Sequence, residues 1–402
     1  MTSTADQPEV RRPDFLVFSD DWGEHPSSCQ HIFRHIAKDH RVLWVNTIGM
    51  RNATFTLRDF RKVARKGRKM LAMRRFSAVD RQRNGNITVS QPMMLPWIRS
   101  PMVRAINSRS VTRAVQSLLQ RMRFDDPVVV TTVPNAEEYP DLLAGRKVIY
   151  YCVDDFSLWP GIDAGIVREM ESRLITRADC LIGVSNAICE RLKASGKPTH
   201  LITHGVDVEL FSTVAACEHL FLNGIKKPRV GFFGLIDGRM DWDLIVSLAR
   251  KMPDVSFILA GPVDASAGKI PELENLHFVG AVQYRELPKM ISGLDALILP
   301  YRTGALAESL SPLKLKEYLA SGKPIISANI GDTADWVDMI SIARTPAEWV
   351  TTIQEILSGP DKRMGKARSC LGAHSWSSKA EELLTKCSSV SKASADSSVI
   401  KC

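Results

Sequence analysis

The stretch KKPRVGFFG, Lys226–Gly234, decides how this chain divides. Two lysines and a proline close one series of elements, and a short apolar run ending in glycine opens another. A near-continuous run of large apolar residues is what a strand covered on both faces requires, because parallel sheets are buried on both sides. Downstream of Arg229–Gly234 the same kind of run recurs at Ser256–Gly261, His277–Gly280, Ala296–Tyr301, Pro324–Ala328 and Ile340–Ala343. Upstream it occurs at Phe15–Ser19, Arg41–Asn46, Ile87–Gln91, Val128–Val133, Lys147–Val153, Cys180–Ser185 and Thr199–His204. Stretches with helical spacing, such as Arg104–Met122 and Ala164–Arg177, lie between the runs. Repeated strand–helix alternation predicts an α/β protein with two doubly wound, Rossmann-like domains. The expected divisions are a first domain over 14–206, a linker over 207–228, a second domain over 229–360, a helical segment over 361–386 with its last helix near Ser377–Lys386, and a disordered tail over 387–402. Ligands of such sheets bind beyond the carboxyl ends of the strands, so two domains facing one another predict a central cleft.

Length and composition agree with this division. The chain has 402 residues, enough for two domains of about 150–200; 45% are hydrophobic and 24% charged, which excludes collagen-like, coiled-coil and wholly disordered classes. No apolar run approaches the roughly 18–20 residues of a membrane span. Met1–Pro13 lacks the apolar stretch of a signal peptide. A cytoplasmic protein is expected, and its eight cysteines, none in a Cys-x-x-Cys pair, read as reduced thiols.

The charge is concentrated. The formal net charge is +9, yet Arg51–Arg83 alone holds twelve Lys/Arg against two Asp, leaving −1 for all other residues. Its apolar positions, Leu57, Phe60, Val63, Ala64, Met70, Leu71 and Met73, approach helical spacing with cations on the remaining face. Such a helix suits an anionic membrane surface, at roughly 1 kcal/mol per basic residue near the lipid. A solvated helix with a narrow apolar stripe on the core fits the same pattern. Nucleic acid fits less well, because aromatic stacking residues are sparse.

The densest chemistry lies in SLSPLKLKEYLASGKPIIS, Ser309–Ser327. Ser311 fits an N-cap, Pro312 the first helical turn and Gly322 a C-cap. Free amides at the helix start, with Leu313 and the cation of Lys314, would suit a phosphate or diphosphate. Glu317, about one and a half turns on, could present a carboxylate to ribose hydroxyls. An ordinary capped helix with a surface glutamate is the competing interpretation.

SPLKLKEYLASGKPII resembles the nucleotide-sugar segment of retaining GT-B glycosyltransferases, family 4 in particular. GFFGLIDGRMDWDLI (231–245), FILAGP (257–262), FVGAVQYRELPKMISGLDALILPY (278–301) and HGVDVELF (204–211) resemble successive segments of that donor domain. DDWGEHPSSCQHIF (20–33), VLWVNTIGMR (42–51) and YYCVDDFSLWPGID (150–163) resemble a bacterial branch that makes surface or exported polysaccharides. The resemblance covers about 14–385. It implies a UDP- or GDP-sugar donor, transfer of a hexose with retention to a glycan or lipid-linked acceptor, and no obligatory metal or cofactor. By position it implies that Glu317 holds the ribose, that Ser311–Lys314 meet the diphosphate with Gly234 and Arg239, and that the base sits near Gly261-Pro262 and Val279-Gly280.

The chain departs from that pattern at three places. Where the family has the first of two glutamates separated by seven residues, this sequence has Ser309, with Glu308 beside it. No Lys follows Arg239 in MDWDL. Where many relatives have a histidine after the fifth strand, it reads Val153-Asp154-Asp155. Asp154 there could stabilise a developing oxocarbenium charge or accept the acceptor's proton; helix capping is the other role open to the pair, and Asp155 is the more structural member. In the loop after the first strand, Gly23 would let the backbone approach the donor phosphates. His25 could serve as an acid–base or acceptor contact, or be a surface residue beside a helix start at Pro26. His204 could be functional or pack at the join of the domains. A nucleotide-sugar 2-epimerase and a catalytically silent, membrane-bound assembly factor are the alternatives to a transferase. A dehydrogenase is unlike this chain, since no Gly-x-Gly-x-x-Gly follows the first strand of either half. The expected location is the inner face of the cytoplasmic membrane, reached through 51–83.

Overall fold

A computed structural model describes residues 12–23, 27–47, 86–97, 99–159, 161–213, 215, 217–304, 307–308, 311–359, 363 and 370–389. His25, Ser309, Arg51–Arg83 and residues 390–402 lie outside them, and with them the expected basic helix and the expected disordered end.

Each apolar run forms a strand. The first sheet contains β1 (Phe15–Ser19), β2 (Val42–Asn46), β3 (Ile87–Ser90), β4 (Val128–Thr131), β5 (Val148–Cys152), β6 (Cys180–Gly183) and β7 (Thr199–Leu201), in the order β3-β2-β1-β4-β5-β6-β7. The second contains β8 (Arg229–Phe233), β9 (Ser256–Ala260), β10 (Leu276–Gly280), β11 (Ala296–Leu299), β12 (Ile325–Ser327) and β13 (Ser341–Ile342), in the order β10-β9-β8-β11-β12-β13. The described pairings within both sheets are parallel. β1, β2, β5, β8 and β9 are buried along their whole length, as continuous apolar runs demand. In both sheets the strand order reverses beside the first strand, between β1 and β4 and between β8 and β11. These reversals are the places where a doubly wound sheet opens a crevice at its carboxyl edge.

The chain forms two compact units, divided differently from the expected 14–206 and 229–360. Among the described residues, one unit takes in everything before Val184, Leu192–His200 and the chain from Ala380; the other takes in Val184–Arg191 and Leu201–Lys379. The stretch 207–228, expected as a linker, is a structured part of the second unit. Asp207 caps a helix over Val208–Ser212, accepting from the Leu210 amide at 3.0 Å. Phe211 is buried and stacks on Phe233, with centroids 6.2 Å apart. Glu218 pairs with Lys227 and Arg229, which anchors the entry to β8. Apolar anchors and the two ion pairs of Glu218 hold what composition alone suggests is a connector. The final helix spans Trp376–Ser389, so the expected tail from 387 begins inside it, with Cys387 buried.

β7 ends at Leu201, three residues short of its expected end, and His204 lies beyond it. The seven described cysteines form no disulfides with one another; five are buried, and Cys217 and Cys370 are exposed. Among the described residues, no helix is long and apolar enough to cross a membrane.

Candidate functional site

At the reversal of the second sheet, the helix Leu313–Ser321 presents one face to β8. Tyr318 accepts a hydrogen bond from the Phe233 amide at 3.1 Å, and the two rings lie 4.7 Å apart. Lys314 lies four residues before this anchor and three before Glu317, so it neighbours both along the helix. The Lys314 ammonium donates to the Tyr301 hydroxyl at 3.2 Å and lies 5.6 Å from the centre of the Phe232 ring. Among the described residues no carboxylate is within ion-pair distance of it. The Arg239 guanidinium lies 5.6 Å from the Tyr301 ring. Asp237 holds it, accepting from Nε at 3.0 Å and from a terminal nitrogen at 2.8 Å. Two cations from separate elements therefore meet on one tyrosine, Tyr301, just past the end of β11.

Backbone supplies the rest of this edge. Gly234, at the end of β8, has φ 137°, and a Cβ there would lie 1.6 Å from Lys314 Cε. Gly261, at the end of β9, has φ 156°, and a Cβ there would lie 1.8 Å from the Gly234 carbonyl oxygen. The two glycines let backbone and the lysine stem pack where any side chain would collide. Pro262 follows, exposed, its carbonyl accepting from the Ile236 amide at 3.0 Å. The Gly261 amide donates to the Gly280 carbonyl at 2.7 Å, which draws the ends of β8, β9 and β10 together.

Glu317 is buried, at 5% exposure. Burial pushes its carboxyl up to about 7, against the opposing influence of Lys314 and of Tyr284. A desolvated carboxylate beside a cation is held ready for hydroxyl donors that would replace its lost water.

Three details of the helix start differ from expectation. Pro312, with ψ 111°, is the N-cap, and the helix begins at Leu313, so Ser311 is not the cap. Extended ψ takes proline out of the helix even though its φ suits the first turn. Ser311 and Asp332 instead line the same small pocket, and Ser311 helps offset the upward push of burial on the Asp332 carboxyl. Gly322 does close the helix in the left-handed region, at φ 71°. Glu308 is exposed on a turn in which its amide donates to the Gly304 carbonyl at 2.9 Å. On the opposite face of the helix, the buried Lys316 donates to the Thr203 hydroxyl at 2.7 Å and to the His204 carbonyl. Burial, reinforced by Lys316, pushes the His204 imidazole down to about 3. That environment makes His204 a neutral packing residue.

The first unit carries a second set of groups at its own reversal. Ser19 and Thr132, ending β1 and following β4, are joined through their hydroxyls at 2.7 Å. Asp20 accepts from Ser19 at 2.7 Å, Ser27 at 3.1 Å and Gln30 Nε2 at 3.0 Å. Gln30 in turn accepts from the Gly23 amide at 3.0 Å, and Asn46 accepts from the Trp22 amide at 3.0 Å. The loop carrying Gly23, at φ 81°, is thus tied down on both sides. The helix that follows starts at Ser28 with Ser27 as N-cap, rather than at Pro26. Past β5, the Asp154 carbonyl accepts from the Cys152 thiol at 3.4 Å. Asp155 accepts from the Ser157 amide at 3.0 Å and its hydroxyl at 2.6 Å, so it caps a short helical turn. The structural role expected for Asp155 is what it performs.

Motif reading missed Tyr301, Tyr284, Tyr318 and Asp20. Tyr301 closes the run LILPY at the strand beside the reversal, which is the one signal that could have singled it out. The others become visible only as partners.

The carboxyl edge of the second sheet, with its backbone glycines, paired cations and buried carboxylate, has the build of a domain that binds a phosphorylated ligand. Residues 228–359 match the family model described as Glycosyl transferases group 1, so this part of the chain carries a domain of that kind. TuaH of Bacillus subtilis (strain 168), a glycosyltransferase assigned to teichuronic acid biosynthesis, is 30% identical over 224 residues. That match covers 50% of this chain and 55% of TuaH, so it spans little more than half of the relative. Solved structures share the whole two-domain fold. Sucrose-phosphate synthase from Thermosynechococcus elongatus superposes with a TM-score of 0.70 at 15% identity, covering 94% of this chain and 98% of its own. HepE of Anabaena, solved with UDP-glucose, gives 0.64 at 16% identity, covering 94% and 100%. Both are of the GT-B architecture, two parallel-sheet domains of the doubly wound kind that the alternation of strands and helices predicts.

Proposed function

We propose that this protein is a retaining glycosyltransferase that moves a hexose from a UDP- or GDP-sugar to a glycan or lipid-linked acceptor in surface polysaccharide biosynthesis. The observation that carries this reading is the meeting of Gly234, Arg239, Lys314 and Glu317 at the reversal of the second sheet. Lys314, Arg239 and the amides at Leu313 and Lys314 would meet the diphosphate. Glu317 would accept from the ribose, and the base would lie over Gly261-Pro262 and Val279-Gly280. In the transfer, the bond from the anomeric carbon to the diphosphate oxygen breaks as a bond to the acceptor oxygen forms. The acceptor's proton leaves with the nucleoside diphosphate or is taken up by Asp154. The cations stabilise the leaving diphosphate without need of a metal, and Asp154 would stabilise positive charge on the sugar. His25 and Glu308 are assigned to the sugar and acceptor, and Gly23 to close approach of the backbone. TuaH supports a surface-glycan setting, and HepE, solved with UDP-glucose, supports a UDP-sugar. The net +10 of Arg51–Arg83 supports peripheral attachment to an anionic membrane, where a lipid-linked acceptor would be met.

Ser309, in place of the first family glutamate, keeps a second reading in view: a sugar-binding assembly factor without turnover. A thermal-shift screen with UDP-, GDP-, dTDP- and ADP-sugars finds the donor, since ligand at a hundred times its Kd adds about 2.7 kcal/mol. Release of free nucleoside diphosphate only on adding a lipid-linked acceptor identifies a transferase rather than an epimerase or a silent binder. Asp154→Asn lowers kcat far more than it changes donor affinity, because the charge acts mainly in the transition state. Donor binding without release under any acceptor would favour the silent reading.

A further inference from the structure

The first unit has an apolar edge that its core does not use. Of eleven large apolar side chains exposed among the described residues, five fall between Met93 and Ile106: Met93 at 59%, Leu95 at 36%, Trp97 at 40%, Met102 at 74% and Ile106 at 41%. They come from two segments that lie side by side. The segment after β3 runs back along the helix Pro101–Met122, with Ser110 donating to the Met93 carbonyl at 2.8 Å and Asn107 bonded to both the amide and carbonyl of Leu95 at 2.7 and 2.8 Å. Val111, Val115 and Leu119 are the face that this helix buries. A clustered exposed patch of this kind marks a contact surface rather than the ordinary scatter of apolar residues.

The charge on the same helix says what the contact is. Its 22 residues include Arg104, Arg109, Arg113 and Arg121 and no Asp or Glu. Arg104 is paired with Glu138 at 3.2 Å, whereas Arg109 and Arg113 are exposed and unpaired among the described residues. Like charges four residues apart repel on a solvated helix. Met102, Ile106, Arg109 and Arg113 follow spacings of four, three and four, so they share one face. At 1.5 Å per residue, Arg109 lies about 10 Å along the axis from Met102. Interfacial helices bury their apolar side chains about 5–10 Å into the headgroup and acyl boundary, with cations at the phosphates above. The patch also lies where an acceptor would arrive. β3 is parallel to its sheet, so the segment leaving it and the start of the helix are at the carboxyl edge, the edge that carries Gly23 and Asp154.

We propose that the exposed side chains of Met93, Leu95, Trp97, Met102 and Ile106 make a lipid-contact surface, separate from Arg51–Arg83, that inserts Trp97, Met102 and Ile106 into the interface of an anionic phospholipid bilayer while Arg109 and Arg113 engage its phosphates. Its consequence for catalysis rests on the transferase reading, but the contact itself is measured without donor or acceptor. The full chain is mixed with vesicles of phosphatidylcholine alone and of phosphatidylcholine with phosphatidylglycerol. Arg109→Gln with Arg113→Gln lowers partitioning onto the anionic vesicles about tenfold or more. Trp97→Ser with Met102→Ser and Ile106→Ser lowers it on both. In wild type, brominated lipid quenches tryptophan emission, and the quenching falls in Trp97→Phe, which reports this site whatever other segment binds. Equal partitioning of wild type and both variants overturns the proposal, as does quenching unchanged by Trp97→Phe. A change in self-association alone would make a second copy the occupant and also overturn it. Nucleotide-sugar thermal shifts are unchanged in every variant. Lost donor binding in wild type would sink the transferase reading while leaving the lipid result standing.

Discussion

Glu317 joins stability to ligand binding in one side chain. Its folded carboxyl is pushed up to about 7, above its ordinary value of 4.5, chiefly by burial. The folded state therefore holds a proton that the unfolded chain releases. Below the ordinary value both states are protonated and no penalty exists. The penalty grows as pH rises through the window from about 4.5 to about 7 and is constant above it, on the order of 3 kcal/mol. Glu317→Gln removes it, so the free variant is more stable than wild type at pH 8 and equal to it at pH 4 in denaturant titrations. The same variant binds the donor found by screening roughly tenfold more weakly or worse, because a charge-assisted bond to the ribose is lost. A variant that gains no stability at pH 8 would show that the buried carboxyl is better solvated than its position indicates.

At the scale of elements, the ends of β8 and β9 are built on two glycines whose constraints differ in kind. A methyl at Gly234 meets the flexible stem of Lys314, and a methyl at Gly261 meets a backbone oxygen. Both glycines hold positive φ, which strains any other residue. Gly234→Ala accordingly costs about 1–3 kcal/mol and displaces Lys314, weakening donor binding. Gly261→Ala costs more in stability, since backbone cannot move aside as a lysine can. Chemical denaturation of the pair checks the order, and a reversed order would show that the β8–β9 edge yields more readily than the lysine. Elements of this kind were largely legible in advance. Ala164–Arg177 is helical over its expected length, and every apolar run became a strand. The helix start at Leu313 was less so, because Pro312 has a suitable φ and only its ψ of 111° takes it out of the helix.

Over the whole molecule, buried histidines set the response to acid. Burial pushes His31 down to about 4 and His204 to about 3, and pushes His374, less deeply placed, to about 4. The folded forms stay neutral while the unfolded chain takes up protons below about 6.5. Stability is fully present above that pH and is lost as pH falls towards the folded values. Each deeply buried ring contributes a slope of about 1.4 kcal/mol per pH unit in that window. His31 belongs to the first unit and His204 to the second, so both units lose stability as acid is added. His31→Gln reduces the slope for the first unit by about one proton and leaves the second unchanged, as followed by denaturant midpoints from pH 7 to 4. An unaltered slope would mean that His31 is protonated in the folded chain.

Period and composition alone determined the thirteen strands, their parallel pairing and the two-domain α/β class, because a strand buried on both faces must be apolar throughout and a helix between two strands makes them parallel. They also placed Gly234, Lys314, Glu317 and Gly322 on the right elements, since a glycine at a strand end and a glycine after a helix answer to local backbone geometry. Tertiary structure alone decided who stands beside whom. Tyr301 lies thirteen residues before Lys314 and far from Arg239 in sequence, and only the strand order β8-β11 brings the three together. The burial of Glu317, the meeting of Ser311 and Asp332 in one pocket and the packing of Phe211 on Phe233 have the same origin. Desolvation and contact depend on what the rest of the chain places around a residue, and no local pattern carries that information.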